Sequence, residues 1–233
     1  KETLEAAQET EHWNSERSDS SIGRGIAIGA WGNGGMESSA YASINSDGTI
    51  NMNTGSVDIG GQRAALAMQF AETLGIPYED INSLVGDTDT IGYTGNTGGS
   101  RTTFATGWAV YQAALDIRTQ IEERVASIWE VDTVDVNYNA KDATIYGPDN
   151  QKMTFKEISR RLPTTGGMIQ GQADLVSTNV GKIGECYGAH IADVEVDRET
   201  GKVTVLRYTA IQDVGRAIHP DYCEGQIQGG AVQ

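Results

Sequence analysis

The sequence predicts an α+β fold with two layers of mixed β-sheet and helices packed on them. Alternating apolar residues on both sides of Asp47-Gly48 are typical of a β-hairpin. Apolar residues then recur at helical spacing after Gly60-Gly61 and again after Gly98-Gly99. Because strand and helix signals are mixed rather than strictly alternating, they favour a layered α+β fold over a purely parallel sheet.

In chain order the hairpin comes first, and two helices follow it. A strand expected to end at Ile59 leads through Gly60-Gly61 into the first helix, whose apolar face continues to Leu74. The second helix follows the loop that begins at Tyr93, and its apolar stripe reaches about Trp129. Each predicted helix therefore begins just after a pair of glycines.

The C-terminal half predicts further strands and two more helices. The segment "VDTVDVNYNAKDATIYG" resembles a second hairpin, and Thr154 with Glu157 has the spacing of a capping box for a short helix to about Leu162. A long hairpin turns at Glu199-Thr200-Gly201. Four valines of this hairpin are expected to face inward: Val194, Val196, Val203 and Val205. The last segment, "EGQIQGGAVQ", is expected to be helical.

Composition excludes several classes of partner. The net charge of −15 argues against nucleic acid and against an anionic membrane. No run of about 18 apolar residues is present, as a membrane span would require. Cys186 and Cys223 lie far apart without metal-type spacing, so we expect both to be small buried hydrophobes. The expected location is the cytoplasm, with the periplasm as the alternative.

Two glycine-rich helix entries, "DIGGQR" and "TGNTGGSRTT", are the candidate binding elements. The first turn of a helix leaves N–H groups free and carries partial positive charge, which favours an anion. Glycine lets a ligand approach the backbone, and polar side chains add donors. The candidate residues from these two segments are Gly60, Gly61, Gln62, Gly99, Ser100, Arg101, Thr102 and Thr103. They suit a phosphate or another polar small molecule.

A plainer interpretation of these segments stays open. Ser100 would then simply cap its helix, and Gly98-Gly99 would be a flexible connection. Neither segment is a Walker A loop or a G-x-G-x-x-G motif. The three histidines are far apart in sequence, and we expect structural or exposed roles for His12, His190 and His219. The residues alone therefore indicate a binder of a polar ligand and do not indicate a reaction.

Three segments together resemble a known family: "TGSVDIGGQRAALAMQFAETLGIPYEDI", "TGNTGGSRTTFATGWAVYQAA" and "DVGRAIHPDYCEGQIQGGAVQ". They are similar to the molybdopterin-binding large subunit of the xanthine dehydrogenase, aldehyde oxidase and carbon monoxide dehydrogenase family, in the same order. The resemblance runs from about Gly23 to Gln233. It implies a molybdenum-cofactor-binding-domain-like fold, with residues 1–22 as a polar lead-in and 23–233 as a partial domain truncated at its C-terminus.

The resemblance also implies a cofactor, molybdopterin cytosine dinucleotide with molybdenum. The glycine-rich loops would hold its pterin and pyrophosphate, and Gln226 matches a further contacting glutamine. The implied contacts are thus the eight residues named above together with Gln226. Arg101 has the alternatives of facing solvent or pairing with a carboxylate. One departure concerns the first loop, where the family has Gly-Gln-Gly and this chain has Gly60-Gly61-Gln62.

The parent enzyme implied by the resemblance hydroxylates an aldehyde or N-heterocycle with oxygen from water. Its electrons would pass to an iron–sulfur subunit and an FAD subunit, since two distant cysteines cannot hold an iron–sulfur cluster. The family's catalytic glutamate would lie beyond this segment, so no catalytic residue and no metal ligand is assigned. We expect the segment alone to be inactive, and a segment without bound cofactor is an alternative that stays open. Two alternatives are a non-catalytic binding or assembly module, which the displaced Gln62 supports, and an unrelated phosphate-binding domain.

Overall fold

The computed structural model describes residues 1–17, 19–177 and 185–233. Contacts within it divide the chain into two compact units. The first unit, here called the terminal unit, combines Lys1–Gly32 with the C-terminal strands and helix, and the second, the central unit, begins at Asn33. The predicted lead-in, residues 1–22, is part of the terminal unit.

Helices and strands alternate irregularly along the described residues, as an α+β fold requires. The α-helices are α1 Glu2–Glu9, α2 Glu11–Asn14, α3 Gln62–Leu74, α4 Gly107–Trp129, α5 Phe155–Arg161 and α6 Pro220–Val232. The strands are β1 Ile22–Gly32, β2 Glu37–Ile44, β3 Ile50–Thr54, β4 Ile81–Val85, β5 Asn137–Asn139, β6 Thr144–Tyr146, β7 Lys152–Thr154, β8 Gln170–Ser177, β9 Glu185–Val196 and β10 Val203–Asp213. The predicted α+β class is confirmed.

The main sheet of the central unit has the strand order β4-β3-β2-β8. Strands β2 and β3 form the antiparallel hairpin predicted around Asp47-Gly48, with Ile44 opposite Ile50. Gly48 adopts φ 90°, in the left-handed region that favours glycine, and the Asp47 carboxylate accepts the backbone N–H of Thr49. Strand β3 pairs in parallel with β4, which lies beyond α3 in the chain.

The two predicted helices, α3 and α4, pack on this sheet and supply most of its core. Phe70, Val110, Ile117 and Ile121 are fully buried there. Helix α4 continues directly from a π-helical turn over Thr102–Thr106. Both predicted helices are confirmed, and α4 ends at the expected residue.

The strand predicted to end at Ile59 is wrong. Strand β3 ends at Thr54, and a loop connects it to α3. Ile59 is 58% exposed, so no burial favours an extended conformation there. Gly60 and Gly61 adopt φ 65° and 79°, which an extended strand cannot accommodate.

A small antiparallel sheet, β5-β6-β7, completes the central unit and confirms the second predicted hairpin. The capping box at α5 is also confirmed, with the Thr154 hydroxyl accepting the N–H of Glu157 and the Glu157 carboxylate accepting the N–H of Thr154. Tyr138 anchors this sheet to the core, since its buried hydroxyl donates to the carbonyl of Leu74 at 2.6 Å. Burial raises the pKa of Tyr138 well above its ordinary value.

The terminal unit contains an antiparallel sheet of order β1-β9-β10, covered on one face by α1. The long hairpin of β9 and β10 is confirmed. The prediction that its valines face inward is wrong, because the buried face carries Ala189 and Ile191, packed against Ala7. Val194 and Val196 alternate with these residues along β9 and therefore lie on the other face, together with Val205 and Val203, which pair with them across the hairpin. Val194 is half-buried there, and the other three valines are exposed.

Both cysteines and the final helix belong to the terminal unit. Cys186 and Cys223 are unpaired and only half-buried, so the expectation of buried hydrophobes is wrong for both. Helix α6 covers the segment predicted to be helical. Within the described part of the chain, every helix is too short or too polar to cross a bilayer.

Candidate functional site

The two glycine-rich helix entries meet in the central unit. The hydroxyl of Thr103 donates to the side-chain oxygen of Gln62 at 2.9 Å. Gln69 lies two helical turns beyond Gln62 in α3, and its side-chain amide donates to the carbonyl of Thr103 at 3.0 Å. Two segments that lie about forty residues apart in sequence are therefore held side by side. We call this surface, formed by residues 60–62 and 99–103, the cradle.

The second glycine-rich entry, which leads into α4, has strained and exposed backbone. Gly99 has φ 66° and Ser100 has φ 57°, so two consecutive residues adopt the left-handed conformation, and both are exposed. A non-glycine residue with positive φ is uncommon, and such strain is concentrated at functional sites. Ser100 does not cap the helix, because the turn beginning at Thr102 has Arg101 at its N-cap and no side-chain cap bond. The plainer interpretation of Ser100 is therefore wrong.

Thr102 supplies a polar group without a protein partner. The residue is 4% exposed, and its hydroxyl oxygen has no hydrogen-bond partner among the described atoms. A buried hydroxyl left unpaired costs on the order of 1–3 kcal/mol. This group lies at the beginning of a long helix, where backbone N–H groups also lack helical partners. The second entry thus has unused hydrogen-bonding capacity.

The first entry differs, since a carboxylate of the chain already occupies it. Asp58 accepts the backbone N–H of Arg63 at 3.0 Å and its guanidinium Nε at 2.9 Å. The bond from this backbone N–H, followed by that from the guanidinium, lowers the pKa of Asp58 below its ordinary value. The positive end of α3 is therefore neutralised from within the chain.

A third glycine-rich loop, Asn33–Met36, joins the cradle and was not predicted. The N–H of Gly34 donates to the carbonyl of Gly99 at 2.9 Å. The Asn33 side chain accepts the N–H of Gly35 at 2.9 Å, and Gly35 and Met36 both have positive φ. A Cβ at Gly34 would approach the Gly98 carbonyl oxygen to 3.4 Å. The segment "GNGG" before a polar strand was the signal available in the sequence.

Arg101 is directed into the protein. It is 1% exposed, and its guanidinium donates to the carbonyls of Gly35 at 2.6 Å, Gly95 at 2.9 Å and Glu37 at 2.9 Å. It also donates to the carbonyl of Met36 and to the hydroxyl of Ser38. Burial lowers the pKa of Arg101 from its ordinary value, while the Glu37 carboxylate favours the charged form. It faces neither solvent nor a hydrogen-bonded carboxylate.

Buried hydroxyls extend this network beneath the cradle. Ser38 and Ser56 lie 3.1 Å and 2.7 Å from the hydroxyl of Thr106, and all three residues are buried. Thr106 belongs to the π-helical turn, Ser38 to β2 and Ser56 to the loop ahead of α3. The network therefore connects the elements that carry the three glycine-rich loops.

A second polar cluster holds the chain that leads into the cradle. The hydroxyl of Ser39 lies 2.6 Å from a carboxylate oxygen of Asp174 and 2.8 Å from the carbonyl of Tyr93. A Cβ at Gly92 would come within 2.3 Å of the same carboxylate oxygen. Burial and then the charge of Asp174 raise the pKa of Tyr41. The close approach of this segment to β2 depends on glycine at position 92.

Gln226 and the three histidines belong to the terminal unit. Gln226 is exposed on α6, in the terminal unit. His12 is buried and contacts Thr209 at 2.8 Å, and His190 contacts the hydroxyl of Tyr208 at 2.6 Å. His219 accepts the N–H of Tyr222 at the start of α6. Across the described ranges, no three His, Cys, Asp or Glu side chains gather into a metal-binding group.

The cradle is lined by backbone amides, hydroxyls and one side-chain amide. Such neutral groups bind and orient a polar molecule, and they do not transfer protons near neutral pH. The fold and these loops define the class: an α+β domain that presents paired glycine-rich loops ahead of two long helices.

Comparison with known proteins identifies the family. The family model of the molybdopterin cofactor-binding domain matches residues 1–233, and the chain belongs to this family. The predicted resemblance is thereby confirmed.

Individual relatives agree with this assignment. The chain is 30% identical over 202 residues to the carbon monoxide dehydrogenase large chain of Hydrogenophaga pseudoflava, covering 85% of this chain and 25% of that protein. It is 29% identical over 243 residues to the 6-hydroxypseudooxynicotine dehydrogenase complex subunit gamma of Paenarthrobacter nicotinovorans, covering 100% of this chain and 30% of that protein. The chain thus spans less than a third of the length of these relatives.

A solved structure shows the same fold. Reconstituted CO dehydrogenase from Oligotropha carboxidovorans superposes with a TM-score of 0.78 at 25% identity, covering 98% of this chain and 31% of that chain. The match extends over both the terminal and the central unit.

Proposed function

We propose that this chain is the molybdopterin-binding part of a molybdenum hydroxylase large subunit and that it holds molybdopterin cytosine dinucleotide. The observation that carries the proposal is the bond between Gln62 and Thr103, which joins two glycine-rich helix entries into one cradle. Family membership supplies the class of ligand, a molybdopterin cofactor. The entry at Gly99–Thr102 is suited to an anion, which supports a phosphate-bearing cofactor, and the cytosine dinucleotide is the form that the sequence resemblance implies.

The residues present fit such a cofactor. The buried hydroxyl of Thr102 and the exposed left-handed backbone of Ser100 offer donors, and Gly99 beside them has no side chain to block a ligand. The pyrophosphate would lie on this second entry, because Asp58 already occupies the first. Gln62 would orient the pterin through its amide, since its oxygen is fixed by Thr103. Gln226 is assigned on its match to the family motif.

The cofactor, when bound, would supply the redox and oxygen-transfer chemistry, and the residues of this chain bind and orient it. The parent enzyme would hydroxylate an aldehyde or N-heterocycle with oxygen from water. Iron–sulfur and FAD subunits are the proposed electron-transfer partners. They are supported by a relative whose name describes a subunit of a dehydrogenase complex. We propose the cytoplasm as the location.

Elemental analysis of the full-length protein, produced together with its neighbouring subunits, tests this proposal. We expect stoichiometric molybdenum and release of a cytosine nucleotide from the pterin. Gly99→Val should lower molybdenum content roughly tenfold, since valine resists the left-handed φ of 66° at this position. Thr119→Val is the matched control, because this exposed α4 hydroxyl bonds only the Leu115 carbonyl.

A non-catalytic binding module is the second candidate. It is supported by the position of Gln62, which is displaced by one residue from the family pattern. Absence of molybdenum and pterin from protein made in a host that loads a related enzyme would favour this module and contradict the hydroxylase.

A further inference from the structure

We propose that Arg101 is a positioning residue whose buried charge and five hydrogen bonds preform the second entry of the cradle for an anion. The proposal deepens the proposed function and rests on it for the identity of the anion, the pyrophosphate of the cofactor. Arg101 itself does not touch the ligand, since its guanidinium is directed into the protein.

The guanidinium of Arg101 connects two segments with left-handed backbone. Arg101 directly follows the left-handed pair Gly99-Ser100, and it binds the carbonyls of a second left-handed pair, Gly35 and Met36. In each pair the non-glycine residue, Ser100 or Met36, stores strain that persists only where surrounding contacts fix it. The planar guanidinium forms several fixed bonds at once, which a lysine ammonium cannot reproduce. One side chain therefore holds both strained loops in their observed conformation.

Arg101 is a buried cation. All five acceptors of Arg101 are neutral oxygens. Within the described ranges, no carboxylate forms a salt bridge with it, although the chain as a whole carries a net charge of −15. Buried arginines are otherwise almost always paired with an opposite charge. The buried cation thus lacks a counter-ion in direct contact.

The charge of Arg101 lies near the start of a long helix, α4. The guanidinium sits beneath the loop that begins α4, so its charge adds to the positive end of the helix rather than opposing it. The same helix start carries the unpaired buried hydroxyl of Thr102. At the first entry, by contrast, Asp58 supplies the negative charge from within the chain. The Glu37 carboxylate favours the charged form of Arg101 without bonding to it, and a bound anion would be a further counter-charge at the second entry.

The test uses full-length protein made without molybdenum, with inorganic pyrophosphate as the probe. Arg101→Met should weaken pyrophosphate binding in calorimetry at least tenfold. It should also accelerate hydrogen exchange of the amides in residues 34–36 and 98–101 at least tenfold. Arg101→Lys keeps the charge but lacks the planar guanidinium. It should therefore accelerate hydrogen exchange in both loops while weakening pyrophosphate binding less than Arg101→Met does. Arg118→Met is the matched control, because Arg118 donates to the Tyr138 carbonyl away from the cradle.

Loss of folding in Arg101→Met would not end the test. Ser38→Ala removes one acceptor and leaves the charge, and it should accelerate exchange in both loops by a smaller factor. No pyrophosphate binding by wild-type protein, or binding by folded Arg101→Met and Arg101→Lys within twofold of wild type, would overturn the proposal. Arginine-dependent pyrophosphate binding in a protein that never acquires molybdenum would instead contradict only the proposed hydroxylase function.

Discussion

Thr103 donates its hydroxyl to the side-chain oxygen of Gln62 at 2.9 Å, and this bond joins the N-terminal ends of the segments that carry α3 and α4. The family pattern Gly-Gln-Gly would place the glutamine one residue earlier, within the glycine loop. In this chain Gln62 is instead the first residue of α3, where its side-chain oxygen is fixed and its amide N–H groups are left to donate. The displaced glutamine is thus part of the cradle through Thr103.

Thr103→Val should therefore weaken the cradle more than the fold. The substitution removes one half-buried hydrogen bond, which corresponds to about 1 kcal/mol of unfolding free energy. We expect molybdenum content to fall severalfold, because Gln62 loses its orientation. Thermal unfolding and elemental analysis of the same preparation measure the two effects, with Thr119→Val as the control. Equal metal content in both variants would contradict the role of this bond.

Gly92→Ala should destabilise the central unit by about 2–3 kcal/mol, because the new methyl group would overlap the Asp174 carboxylate and the Ser39 hydroxyl. The polar cluster would separate, and the segment leading to the cradle would move away from β2. Urea unfolding measures the loss. Gly29→Ala is the control, since its added Cβ meets nothing within 4 Å. A loss no larger than that of the control would show that this segment is loosely held.

Asp193 makes the stability of the terminal unit depend on pH. Its carboxylate accepts two bonds from Arg24, at 2.7 and 2.8 Å, and lies 3.3 Å from His12. The bonds from Arg24, and then that from His12, lower the pKa of Asp193 to about 2. A lowered pKa means that the stabilisation is complete above the ordinary value of 3.8 and is lost as pH falls through about 2.

Asp193→Asn should lower the unfolding free energy near neutral pH, because Arg24, whose side chain is 10% exposed, loses its charged partner. The variant should also lose less stability than wild type between about pH 4 and pH 2. Denaturant unfolding at several pH values tests both statements. Asp135→Asn, which alters an exposed carboxylate, is the control, and parallel pH curves for wild type and Asp193→Asn would contradict the assignment.

The parts of the fold that follow from local chemistry could be predicted from the sequence. Asp47-Gly48 favours a tight turn by its own backbone preference, and Thr154 with Glu157 forms its capping box within four residues. Arg101 could not be placed in this way, because four of its five acceptors lie 63 to 66 residues earlier in the chain. Its polar neighbours in sequence indicated a ligand contact, whereas the folded chain uses its donors internally.

The same limit applies to the covered face of the β9–β10 hairpin. Valine prefers strands, but alternation alone does not say which of two faces a helix will cover. Helix α1 covers the face of Ala189 and Ile191, and this choice depends on Ala7, about 180 residues earlier. The loop Asn33–Met36 escaped prediction for a similar reason, since its contacts with Gly99 and Arg101 arise only in the folded chain.

Asp58 provides the sharpest test of where the anion lies. Asp58→Ala should lower the unfolding free energy by about 1 kcal/mol, because the start of α3 loses the carboxylate that accepts from Arg63. It should leave molybdenum and nucleotide content unchanged, because the pyrophosphate is assigned to the other entry. Ser100→Ala is the complementary variant, with lower cofactor content and nearly unchanged stability. If the pyrophosphate instead lay at α3, removing the competing carboxylate would tighten binding, and calorimetry with pyrophosphate would show Asp58→Ala binding more tightly than wild type.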